Sequence, residues 1–203
     1  MHKTQQFISA ILHPLTLPLF GTIMLLEMGL FGELPFTYRL YIDSIVFVNM
    51  CLIPGLGIWL LLKTGVVSDL DVSKRTERIL PYLIVILTAV LACVMLYKAQ
   101  LPWWTVKLYI GSVFATFVAF FITLKWKISA HTMAFGCVIG SAFLVSMKLA
   151  MNPIVILSVM FMLAGLQASS RLYLKAHTLG QVFGGFFLGF VSVIAAFLII
   201  PEF

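Results

Sequence analysis

Long apolar runs, each close to the length of a membrane span and parted by short polar breaks, fill nearly the whole chain of 203 residues. A helix needs about 20 apolar residues to cross the hydrocarbon core of a bilayer. The runs lie near 8–31, 43–63, 81–98, 105–124, 131–149, 153–168 and 178–200. In lipid every backbone N–H and C=O must be satisfied within the segment, so such runs fold as helices. Composition agrees. Of the residues, 62% are hydrophobic and 10% charged, against roughly 25% charged in a soluble domain. Too little polar surface exists to coat a water-soluble globule. The expected fold class is all-α: a polytopic transmembrane helix bundle of six to seven spans, forming a single transmembrane domain over 1–203.

The first run is the least regular, because His13-Pro14 and Pro18 interrupt it and proline breaks a helical ladder. It reads either as a kinked span or as an interfacial helix followed by a shorter insertion. The sixth run is short and has room to extend past Gln167. Met1 to Gln6 precede the first run with no small-residue cleavage site at the right distance, so that run is expected to be retained. Cys51, Cys93 and Cys137 sit inside apolar runs without paired spacing and read as small buried hydrophobes. Net charge is +6, but the basic residues are spread thinly over loops. That pattern suits membrane-flanking anchors and gives no nucleic-acid patch.

Three polar breaks stand out. The longest is Thr64–Leu80, with Lys74, Arg75 and Arg78 near its end and Pro81 opening the next helix. The others are Lys125–His131 and Ser169–His177. Two spans separate the first from the second, and two more the second from the third. An even number of crossings returns a chain to the same face, so all three breaks are expected on one side of the membrane. The breaks near 33–43, 98–107 and 148–152 fall on the other side. Gly180, Gly184, Gly185 and Gly189 in the last span read as packing positions.

The residues in these breaks have bland explanations one by one. Lys74, Arg75 and Arg78 are anchors, or partners of Asp69, Asp71 and Glu77. Ser129 is an N-cap, and His131 an interfacial polar residue. Arg171 and Lys175 anchor a loop. Taken together, two histidines, several cations and two helix N-termini on one face form a set suited to phosphoryl transfer. Cations and backbone donors hold the equatorial oxygens, one imidazole attacks and the other protonates the leaving oxygen. His177 and Gln181 are four apart at the head of the last span. The glutamine carbonyl is placed to fix the imidazole tautomer.

The order of these residues resembles the type-2 phosphatidic acid phosphatase superfamily, which includes lipid-phosphate and isoprenyl-diphosphate phosphatases and vanadium haloperoxidases. That family carries a Lys followed at a distance by Arg-Pro, then Pro-Ser-Gly-His, then Ser-Arg, five residues, His, three residues and Asp. Here Ser170-Arg171 and His177 keep the third spacing, with Gln181 in place of Asp. Ile128-Ser129-Ala130-His131 keeps Ser and His of the second motif. Arg78 matches the Arg of the first without its Pro, and Lys74 or Arg75 supplies the other cation. The resemblance spans roughly 70–190 and implies a catalytic core over about 64–200. It implies His177 as nucleophile through a phosphohistidine and His131 as general acid. Arg78, Arg171, Ser129 and the Ala130 backbone, with Lys74, Arg75 and Ser170, would hold the phosphate, and Gln181 would stand in for the orienting carboxylate. No metal or other cofactor is implied. The substrate implied is a phosphorylated lipid: phosphatidate, phosphatidylglycerol phosphate or a polyprenyl diphosphate such as undecaprenyl diphosphate.

A second reading is a lipid-phosphate binder or structural membrane protein of the same fold, motivated by the lost Pro, Gly and Asp. A transporter would show matched Gly/Pro interruptions in two halves, and none are evident. Orientation is divided. The motif side holds Lys3, Lys63, Lys74, Arg75, Arg78, Lys125, Lys127, Arg171 and Lys175, and the other side Arg39, Lys98, Lys107 and Lys148. The positive-inside rule places the motifs in the cytoplasm. Setting Arg75, Arg78 and Arg171 aside as phosphate ligands weakens that bias. The family resemblance points instead to the periplasmic face of a bacterial inner membrane.

Overall fold

The computed structural model describes residues 2–27 and 33–202, leaving aside the side chains of His2 and Lys3. It is a helical bundle. Its elements are α1 (His2–Ile11), α2 (Leu17–Leu26), α3 (Phe36–Val46) running through a π-helical segment (Phe47–Leu52) into α4 (Ile53–Lys63), a 3₁₀ turn (Arg75–Arg78), α5 (Ile79–Lys98), α6 (Trp103–Thr123), α7 (Ala130–Lys148), α8 (Ile154–Tyr173) and α9 (Leu179–Ile199). Six of these stretches, beginning with the continuous Phe36–Lys63, are long and apolar enough to cross a membrane. The protein is therefore an integral membrane protein of the expected class.

The first apolar run departs from a single span. It is two ten-residue helices, α1 and α2, with a corner at Leu12–Thr16; residues 28–31 of that run lie outside the described residues. Pro14 has no N–H to continue α1. The chain turns instead on the carbonyl of His13, which accepts from the Thr16 N–H at 3.0 Å and the Thr16 hydroxyl at 2.8 Å. Pro18 then sits in the first turn of α2, where a missing N–H costs nothing. Ten residues rise only about 15 Å, half of a ~30 Å hydrocarbon core. The corner bearing His13 is thereby carried inward, toward the start of α7. At its other end Glu27 pairs with Arg39 of α3 at 2.5 Å.

Two other boundaries differ from expectation. Pro81 is the third residue of α5, not its opening; its nitrogen still falls among the first-turn groups that have no partner within the helix. The sixth span runs on to Tyr173, which makes Ser170 and Arg171 helical. Pro54 interrupts the hydrogen-bond ladder of the 36–63 stretch, and the π segment Phe47–Leu52 lies immediately ahead of it. There the Asn49 amide donates to the Ile45 carbonyl at 2.9 Å.

Helix α7 is the most enclosed of the six, and its partner is α9. Glycine makes the approach possible. A Cβ on Gly136 would lie 2.1 Å from the Phe186 carbonyl oxygen, and one on Gly189 would lie 2.0 Å from that of Met133. Backbone thus packs on backbone along the whole seam. Helix α6 closes against α9, where the buried Lys107 caps its C-terminus: Nζ donates to the Ile200 carbonyl at 2.9 Å and pairs with Glu202 at 3.0 Å. On the opposite face of the bundle, α2, α5, α7 and α9 all begin.

Candidate functional site

The three polar breaks meet. The backbone N–H of Ser129 donates to the Gln181 carbonyl at 3.2 Å, and the Thr132 hydroxyl to the Val182 carbonyl at 2.8 Å. The starts of α7 and α9 are therefore clamped side by side. Ser129 caps α7 through the Thr132 N–H, as its position before the run suggests. Ala130 and His131 then occupy the first two helical positions, whose N–H groups point out of the helix.

Arg78 reaches across from the 3₁₀ turn. Its Nε donates to the Val72 carbonyl and its Nη1 to the Ile128 carbonyl, both at 2.9 Å. One guanidinium thus ties the first break to the second and is held rigid, 6% exposed. Arg171 enters from the last turn of α8. Its Nη1 donates to Ser9 Oγ at 2.7 Å and pairs with Asp71 Oδ2 at 2.9 Å. Arg171 and Arg78 lie close enough for their charges to act on both His131 and His177, and Lys127 acts on His177 as well.

His177 gets its geometry from a helix cap. Thr178 caps α9, and Gln181, three residues on, folds back to accept from the Thr178 N–H at 3.2 Å. A backbone N–H only donates, so the amide atom facing it is Oε1. The same oxygen lies 3.1 Å from His177 Nδ1. Nδ1 therefore carries the proton and Nε2 the lone pair. The sequence suggests that His177 and Gln181 meet by sharing a helical face. They meet because the capping box reaches backward, with His177 just outside the helix. A Schellman turn at the end of α8, in which the Ala176 N–H returns to the Arg171 carbonyl at 3.1 Å, brings the chain back in time to place His177. Burial, followed by the charges of Arg78 and Arg171, lowers the His177 pKa to about 3, so the ring is neutral.

Three buried polar atoms here have no hydrogen-bond partner among the described residues: His131 Nε2, His177 Nε2 and Arg171 Nε. Buried polar groups are nearly always satisfied, so these three atoms are open to a polar ligand or to water.

Not every expected residue joins. Lys74 is exposed and pairs with Glu77 at 3.1 Å. Arg75 turns away to carbonyls at the end of α6, those of Thr123 and Leu124. Ser170 is wholly buried and donates to the Gln5 carbonyl at 2.7 Å, so it holds α1 against α8. Of the three cations at the end of the first break, the cluster takes Arg78 alone.

Three other residues do join. His13 packs edge-on against His131, ring centroids 5.3 Å apart. Its Nδ1 accepts from the Leu15 N–H at 3.3 Å, which leaves the proton on Nε2. Burial lowers the pKa of His13, with Asp71 opposing and Arg171 adding to the shift. Lys127 has its pKa lowered by burial and by Arg78 and Arg171. Asp71 is the anionic partner of Arg171. His13, Asp71 and His131 each offer a donor atom within 4.8 Å of the others, a spacing that suits a metal ion. Arg171 already occupies Asp71, and Arg78 and Lys127 add positive charge, so the field favours an anion over a cation.

A scan of family models, a search of curated proteins and a search of solved structures each return no match to this chain.

Proposed function

We propose that this protein is a membrane phosphatase that hydrolyses the phosphomonoester or diphosphate of a lipid through a phosphohistidine on His177, as in the superfamily its motifs resemble. The observation that carries the reading is a pair of buried imidazole Nε2 atoms without partners, on His131 and His177, beside two fixed guanidiniums. The Nε2 lone pair of His177 attacks phosphorus, and the bond from phosphorus to the lipid oxygen breaks. Arg78, Arg171 and the free N–H groups at the start of α7 hold the equatorial oxygens. His131 gives its proton to the departing oxygen; the bound phosphate supplies the negative charge that a protonated His131 needs beside Arg171. Water then attacks the phosphohistidine, His131 takes its proton, and inorganic phosphate leaves with His177 restored.

Gln181 supports this scheme by fixing the tautomer, but it lacks the charge that would stabilise the phosphorylated ring. That favours slow turnover, and it gives the second reading, a lipid-phosphate binder without turnover, its specific motive. Phosphate release by purified protein from a lipid phosphate, compared with His177→Ala, separates the two. Catalysis predicts release that the variant abolishes; equal release from both proteins ends the claim. In this reading the site faces the periplasm, with Arg78, Arg171 and Lys127 serving as site cations instead of loop anchors.

A further inference from the structure

Beneath the cluster lies a cavity of about 200 Å³. Its polar end is formed by His13, Asp71, Arg78 and His131. From there it follows one face of α7 through Ala134, Cys137 and Ser141 to Val145, a spacing of three and four residues that keeps to a single stripe. Ala130 to Val145 spans about 22 Å of helix. The facing walls come from α2, α5 and α6, with small residues at Gly21, Ala89 and Ser112.

Apart from the Tyr82 hydroxyl, which lies near Arg78 without a partner among the described residues, hydroxyls along the walls turn to the protein. The Ser112 hydroxyl donates to the Leu108 carbonyl at 3.2 Å and that of Thr116 to the Ser112 carbonyl at 2.9 Å. Tyr109 and Thr22 hydroxyls bond each other at 2.8 Å. Their polar atoms are satisfied by the protein and offer an entering molecule carbon. The cavity is thus charged and hydrogen-bonding at one end and oily for the rest of its length, the profile of an amphiphile with an anionic head.

Length and volume narrow the class. A depth of about 22 Å exceeds the ~15 Å half-thickness of a bilayer core, so a chain lying in it reaches further than one leaflet. A cavity of ~150 Å³ holds one benzene, so about 200 Å³ drawn out along that length is narrow enough for one chain and not for two side by side. We propose that this cavity receives the single long hydrocarbon chain of a phosphorylated lipid whose phosphate sits at Arg78 and His131. The proposal rests on the phosphate-site reading above and makes the substrate a single-chain lipid phosphate instead of a two-chain one.

The test is a binding series with octyl, dodecyl and hexadecyl phosphate on purified protein in nanodiscs, for the wild type, Ser141→Phe and Ala89→Phe. Ser141 lies ten residues below His131 on α7, about 15 Å, and Ala89 lines the cavity from α5, so one variant stands in if the other fails to fold. Partition of the ligand into nanodisc lipid is common to all proteins and cancels in the comparison. The expected result is a fall of at least tenfold in the ratio of hexadecyl to octyl affinity in a folded variant. Dihexadecyl phosphate should bind more weakly than hexadecyl phosphate to the wild type. An unchanged ratio in both variants, or tighter binding of the two-chain ligand, overturns the proposal. Octanol serves as the separate arm: if it binds as well as octyl phosphate, the phosphate site fails. The chain-length shift then still decides the cavity.

Discussion

At Gln181 one oxygen does two jobs, capping the start of a helix and setting a tautomer. The amide is neutral, so the site has orientation without charge. Gln181→Glu keeps the reach to Thr178 and His177 and adds a carboxylate beside the ring. It should raise phosphate release about tenfold, the effect of about 1.4 kcal/mol of added transition-state stabilisation. Gln181→Leu removes the acceptor and should cut release by roughly two to four powers of ten, the range seen when an orienting group is lost from a triad. Both are read in the same release assay. His177 also sets a pH dependence of stability. Its pKa is about 3 in the folded protein and near 6.5 when unfolded. The unfolded chain therefore binds more protons between those values. The stability from keeping His177 neutral is full above about pH 6.5 and is lost as pH falls toward 3. Melting temperatures at pH 7.5 and pH 5 should differ more in the wild type than in His177→Gln. An equal difference would mean that the ring is not buried as described.

Among the helices, the seam between α7 and α9 depends on glycine. Gly189→Ala drives a methyl into the Met133 carbonyl and should destabilise by about 1–3 kcal/mol or more. Gly165→Ala, with nothing near its added carbon, should be neutral or slightly stabilising; thermal unfolding in detergent compares them. The turn after α8 offers the opposite case. Lys175 sits at φ 51°, a left-handed conformation that costs a non-glycine residue roughly 1–2 kcal/mol. Lys175→Gly should raise the melting temperature while leaving His177 in place. The sequence reveals much at this scale. Ser129 as an N-cap and the limits of α6, α7 and α9 follow from local rules about polar starts and apolar length. The break at Pro14 is visible too, but whether it kinks a span or divides it into two short helices depends on what α1 finds to pack on. It finds Ser170 and Arg171 of α8, through Gln5 and Ser9, and no local rule foretells that.

Over the whole molecule, convergence of the three polar breaks was legible because parity is a topological count and needs no side-chain detail. The membership of the cluster was less so. Lys74, Arg75 and Arg78 are alike on the page, and only the 3₁₀ turn decides that Arg78 points in. His13, Asp71 and Lys127 come from segments that sequence reasoning treats as a helix break, an ion-pair partner and an anchor. Tertiary packing brings them to the site. Orientation is testable at this scale, because α9 ends on the face away from the cluster. A compartment-dependent reporter fused to the C-terminus should report the cytoplasm if the site faces the periplasm, and the reverse if it does not. The most direct measurement of the central claim is rapid acid-free quench and mass spectrometry of the wild-type protein during turnover of a lipid phosphate. The account predicts one phosphoryl group on His177, formed within the first turnover and lost once the substrate is spent. No adduct, or an adduct that persists when His177 is replaced by alanine, would contradict it.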